Sequence, residues 1–195
     1  MWLTRFEQRH LWLQLLHSQG IIRRYFVVNG FDGALTMLGL VTGFHMSGTT
    51  ELKVVIGACL GATIALGVSG LTSAYLSETA ERRRSLNELE GAMLADLSES
   101  AVASASRVMP WLIALVNGAA PVLLSLIIIS PLWLAYSGVT LPLAPLSMAI
   151  ITAIGCIFGL GVFLGRVGGT PWLWSGIKAL LIAGVTVLMI LLLDV

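Results

Sequence analysis

From Val108 to Gly165 the chain carries not one Asp, Glu, Lys, Arg or His. A membrane helix needs about 20 mostly apolar residues, so this stretch is long enough for two spans and too long for one. Ser137-Gly138, Pro142 and Pro145 are the turn signals that divide it. Three further apolar stretches run from about Tyr25 to Met46, from Val54 to Ser77 and from Trp172 to Leu193. Hydrocarbon offers the backbone no hydrogen bonds, so such segments cross as helices. The chain is therefore predicted to be an all-α integral membrane protein with five transmembrane helices. Composition agrees, with 57% of residues hydrophobic and 11% charged, against about one quarter charged in soluble domains. One helical bundle fits this length; a separate catalytic module does not.

Four segments follow from these spans. Residues 1–24 form an N-terminal segment in which Trp2, Phe6, Leu13 and Leu16 fall on one helical face. That suits a short interfacial helix, with a frayed polar leader as the alternative. Arg5, Glu7, Arg9, His10 and His17 break any apolar run of a signal peptide. Residues 25–77 hold the first two spans, 78–107 a cytoplasmic amphipathic helical segment, and 108–195 the last three spans. All Lys and Arg residues except Lys53 fall on one side of this arrangement, Lys178 by snorkelling. The positive-inside rule then puts the N-terminus in the cytoplasm and the C-terminus outside. A chain of this compact form suits a prokaryotic cell membrane. Its net charge of +1 says nothing for nucleic acid, and no such partner is expected.

Asp32 is the one acidic residue inside an apolar span, in the run YFVVNGFDGALTMLGLVTGF. A carboxylate at mid-membrane costs roughly 2.5–3.5 kcal/mol on insertion scales, which marks it as a pathway or relay candidate. Asn29, Asp32 and Thr36 are three and four residues apart and share a helical face. Gly33 permits close approach of another helix or of an ion. An acid, an amide and a hydroxyl are oxygen donors that suit Mn²⁺, Fe²⁺ or Mg²⁺ better than soft ions. The competing reading is a protonated Asp32 that serves only as polar glue between helices. In the third span, Asn117 and Pro121 lie mid-helix, where the proline either frees a carbonyl for a polar cavity or makes an ordinary kink.

The segment after Ser77 carries Glu78, Glu81 and Glu88, with a stripe of Leu86, Leu89, Met93 and Leu97 on another face. Clustered carboxylates there either gather divalent cations before entry or form a solvated acidic surface. Cys59 and Cys156 sit in separate apolar runs and read as small fillers. Without a CxxC or Cys/His cluster, no zinc or haem site is expected. Glycines repeat at four-residue spacing at Gly39/Gly43, Gly57/Gly61, Gly155/Gly159 and Gly161/Gly165, a pattern that lets membrane helices pack closely.

On these residues the chain resembles the vacuolar iron transporter family. NGFDGALTMLGLVTGF looks like that family's first helix, SGLTSAYLSETAE like the end of its second, ALVNGAAPVLLS like its third and SGIKALLIAGVTVLMILLL like its last. The resemblance covers nearly everything after Arg23. It implies a homodimer of five-helix protomers with the pore at or near the subunit interface. Fe²⁺ or Mn²⁺ would be the transported ion, exported from the cytosol in exchange for protons, with no permanently bound cofactor. Asp32 takes the place of the family's pore aspartate, and Glu78, Glu81 and Glu88 stand where it gathers metal. The chain departs from the pattern in the second helix, where Gly70 and Ala74 replace a methionine and a glutamate. Loss of the thioether shifts the expected preference towards harder ions such as Mn²⁺.

Two other functions compete. GVSG at Gly67–Gly70 matches the GxSG of rhomboid-type intramembrane proteases, but a serine nucleophile needs a histidine base in reach. The histidines are His10, His17 and His45, at or beyond the ends of spans, so the chain is not expected to be an enzyme. The other alternative is a non-transporting membrane protein of the same fold, acting as a sensor or partner-binding scaffold, which Gly70 and Ala74 favour.

Overall fold

The computed structural model describes the backbone of residues 5–192 and the side chains of 20–192 apart from residue 101. The described residues form five helices: α1 (Arg5–Met46), α2 (Leu52–Met93), α3 (Ala101–Tyr136), α4 (Pro145–Val167) and α5 (Trp172–Leu192). Each contains a stretch long and apolar enough to cross a membrane, starting in α1 at Gly20. The break between α3 and α4 falls at the Gly138 and Pro145 signals; Gly138 has φ +85°, a conformation that glycine adopts without strain. The face with Trp2, Phe6, Leu13 and Leu16 lies outside the described side chains.

The cytoplasmic segment expected at 78–107 is not a separate element. α2 runs on through Ser77 to Met93 because nothing there stops it: SETAERRRSLNELE is rich in helix formers, and Glu78–Arg82 and Arg84–Glu88 are paired one turn apart. The helix ends only where Leu94 turns to φ +49°. Polar groups then hold the connection. Glu90 accepts from the backbone N–H of Leu97, and Asp96 accepts from that of Ser98, which lowers the Asp96 pKa. Ser100 Oγ accepts from the Ala103 N–H at 3.1 Å and caps α3.

The chain divides into two compact units. One comprises residues up to Phe26 with Val68–Ala119. Its small core is Ala74, Ile113 and Ala114, flanked by Ile21, Ile22, Tyr25, Leu71 and Tyr75. The other comprises Val27–Gly67 and the residues from Ala120 onwards. Its core is larger, with Met37, Leu38, Val41, Val55, Ile128, Ile129, Leu132 and Ile157 buried.

Lipid tails are as apolar as leucine, so helices in a bilayer associate through close packing more than through burial from water. The α4–α5 seam of the larger unit is built this way. A Cβ at Gly161 would lie 2.6 Å from Ala179 Cβ, and one at Gly165 would lie 2.7 Å from Ser175 Cβ. The other four-residue repeats differ. Gly43, Gly57, Gly61, Gly155 and Gly159 face open space within the single chain.

Candidate ion site around Asp32

Asn29, Asp32, Gly33 and Thr36 all belong to α1 and to the larger unit. Asp32 lies near the centre of the Gly20–Met46 span. Its side chain is exposed, Asn29 and Thr36 are half-buried, and Gly33 and Ala34 are buried. The helix thus turns its glycine inwards and its carboxylate outwards, with the amide and hydroxyl at the border. No hydrogen bond or ion pair to Asp32 occurs among the described residues, whereas Asn29 has a polar partner.

Gly33 is filled by a helix rather than by an ion. A Cβ there would meet Pro121 Cα at 2.6 Å and the Pro121 carbonyl oxygen at 2.8 Å. The proline ring and glycine's bare backbone let α1 and α3 touch directly beside the carboxylate. Two buried hydroxyls in the same unit were not evident from the sequence. Thr42 Oγ1 and Ser125 Oγ are enclosed without a hydrogen-bond partner among the described residues. An unsatisfied buried polar group costs about 1–3 kcal/mol. Ser125 stands four residues after Pro121, and a serine in register with a mid-span proline was the available signal.

The remaining candidates lie in the smaller unit on α2. Glu78 is half-buried and accepts a hydrogen bond from Tyr25 Oη at 3.3 Å while pairing with Arg82 Nε at 3.3 Å. Glu88 is exposed and pairs with Arg84 at 2.8 Å. Glu81 is exposed, with no ion pair among the described residues. Two of the three acids thus already hold cationic side chains. Among the described residues no three of His, Cys, Asp and Glu gather as a metal-holding group.

Gly70 and Asn117 form a second built contact in the smaller unit. Asn117 Nδ2 donates to the Gly70 carbonyl at 2.6 Å, and a Cβ on Gly70 would approach the Asn117 carbonyl oxygen to 3.0 Å and Gly118 Cα to 3.3 Å. Proline at 121 supplies no N–H to the Asn117 carbonyl four residues before it. A side chain at position 70 would press on this backbone, which would have to shift by a few tenths of an ångström. Ala74, one turn on, is likewise buried. Ser69 of the GVSG motif is exposed, and so is His45 at the end of α1.

No family profile and no solved structure matches the chain. It is 30% identical over 171 residues to the uncharacterized protein MJ0645 of Methanocaldococcus jannaschii, an alignment that takes in 86% of this chain and 85% of that one. With that identity sustained over most of both sequences, the chain belongs to the same family as MJ0645.

Proposed function

We propose that the protein carries divalent cations, Mn²⁺ or Fe²⁺, out of the cytosol in exchange for protons, with Asp32 as the central ligand. The observation that carries this reading is an exposed carboxylate near the middle of an apolar span with no partner among the described residues. Left against lipid it would be costly, so water, an ion or a second copy of the chain must cover it. A seam between two copies would bring two such carboxylates together and supply the charge that a dication needs. Asn29 and Thr36 border the acid, and water completes an oxygen-rich shell of the kind hard cations prefer.

Release follows from protonation. A proton arriving from the outer side neutralises Asp32, weakens the shell and lets the ion leave. Glu78, Glu81 and Glu88 would act at the cytoplasmic mouth, the first and last by exchanging their arginine partners for metal. The lack of a thioether at Gly70 supports a preference for Mn²⁺ over softer ions. The resemblance to the vacuolar iron transporter family supports the same direction of export from a prokaryotic cell, with the N-terminus in the cytoplasm.

Uptake of Mn²⁺, Fe²⁺, Co²⁺ and Zn²⁺ into proteoliposomes tests the proposal. Mn²⁺ and Fe²⁺ should enter and acidify the opposite compartment, and Asp32→Asn should reduce uptake to that of empty vesicles. Uptake at the native rate by the Asn variant removes the mechanism. A second reading, a scaffold that does not transport, is favoured by the closed packing at Gly70 and the lack of a three-ligand cluster among the described residues. Thermal stabilisation by Mn²⁺ separates the two, because an inert scaffold shows none.

A further inference from the structure

We propose that a pocket formed by α2 and α3 in the smaller unit binds the phosphate headgroup of an anionic phospholipid. The starting point is the run Arg82-Arg83-Arg84. Successive residues point about 100° apart around a helix, and the two outer arginines are neutralised by Glu78 and Glu88 one turn away. Arg83 has no ion pair among the described residues. It lines a cavity of about 410 Å³ together with Arg107, Thr79, Ser106, Tyr75 and Trp111.

The chemistry of this cavity is one-sided. No Asp or Glu lines it. Arg107 spends one Nη2 donor on the Ser98 carbonyl, at 3.1 Å, and keeps its others. Guanidinium groups match phosphate oxygens two donors at a time, and the hydroxyls of Thr79 and Ser106 add neutral donors. The Tyr75 and Trp111 rings, 4.5 Å apart at 44°, form an amphipathic wall of the sort found at headgroup level.

A lipid is favoured over a soluble anion by what adjoins the pocket. Val108, Trp111 and Leu115 repeat at helical spacing on α3 and are each more than half exposed. They form an apolar track that begins beside Arg107 and runs into the span. A phosphodiester held by the two arginines would lay its acyl chains along that track. Basic pockets between helices on the cytoplasmic side are a recurrent means of holding anionic lipids. The inference is independent of whether Asp32 carries metal.

Native mass spectrometry of the delipidated full-length protein tests it, with phosphatidylglycerol and phosphatidylcholine as probes. The native protein should retain phosphatidylglycerol at concentrations where phosphatidylcholine is lost. Removing two interfacial cations with Arg83→Gln/Arg107→Gln should weaken that retention about thirtyfold. Arg84→Gln, which removes an arginine outside the pocket, should leave it within about twofold. If the double Gln variant aggregates, Arg83→Lys/Arg107→Lys keeps charge while losing the planar fork, and a severalfold loss of preference for phosphatidylglycerol supports the site. Unchanged retention in either double variant overturns the proposal. So does binding of inorganic phosphate or pyrophosphate as tight as that of the lipid, which would make this a soluble-anion site.

Discussion

At the scale of single residues, Gly70 shows how a departure from a resembled pattern can be read physically. Its neighbours are the Asn117 carbonyl and Gly118 Cα, both backbone, and backbone cannot yield as a flexible side chain would. Gly70→Met should therefore lower stability by about 1–3 kcal/mol, as overpacking does. Thermal unfolding in detergent checks this; a variant as stable as the native protein would show that α2 and α3 can part freely here. Ser125 offers the opposite test. Its hydroxyl is buried without a partner among the described residues, so Ser125→Ala should leave stability unchanged or raise it slightly. Lower metal uptake by that stable variant would place the hydroxyl on the ion path.

Asp32 was legible in the sequence because a lone charge in an apolar run needs no tertiary information to stand out. Its outward orientation was not legible, since which face of α1 is covered depends on where α3 packs. The partners of Glu78 were equally hidden. Arg82 is visible at helical spacing, but the Tyr25 hydroxyl comes from a residue far away along the chain. Spacing from Pro121 marks Ser125 in the sequence, but nothing marks its hydroxyl or that of Thr42 as buried and unbonded, because most serines and threonines in membrane helices bond their own backbone, as Thr63 does to the Cys59 carbonyl at 2.7 Å.

At the scale of elements, hydropathy located all five helices, and glycine and proline located the break between α3 and α4. The apolar run of the second span ends at Ser77, whereas α2 continues to Met93. Polar residues end a membrane span, but a helix persists until a turn residue or a cap intervenes, here at Leu94 to Ser100. Glycine spacing likewise indicated close packing without indicating which pair performs it. Gly161 meets Ala179 and Ser175 of α5, whereas Gly159, two residues earlier, meets nothing within the chain. Gly161→Val should therefore destabilise the α4–α5 pair by about 1–3 kcal/mol. Gly159→Val should be near neutral in the isolated protomer, by thermal unfolding in detergent. Equal effects from both would mean that the seam is not set by glycine contact.

At the scale of the whole molecule, five helices that all cross the membrane would leave the ends of the bundle on opposite sides. Lysine and arginine cluster on one side with Lys53 alone on the other, which predicts a cytoplasmic N-terminus. Alkaline phosphatase fused after the last residue should be active in a bacterial host, while a fusion in the Met93–Ser100 connection should be inactive. The reverse pattern would invert the direction of transport proposed here.

Transport through Asp32 requires its exposed carboxylate to face a seam that water and ions reach. Asp32→Cys, made with Cys59→Ala and Cys156→Ala so that no other thiol reports, measures this directly in sealed vesicles. A membrane-impermeant thiol reagent should label position 32. A cysteine that resists the impermeant reagent from both sides, yet reacts with a lipid-soluble one, would put position 32 in hydrocarbon and contradict the account.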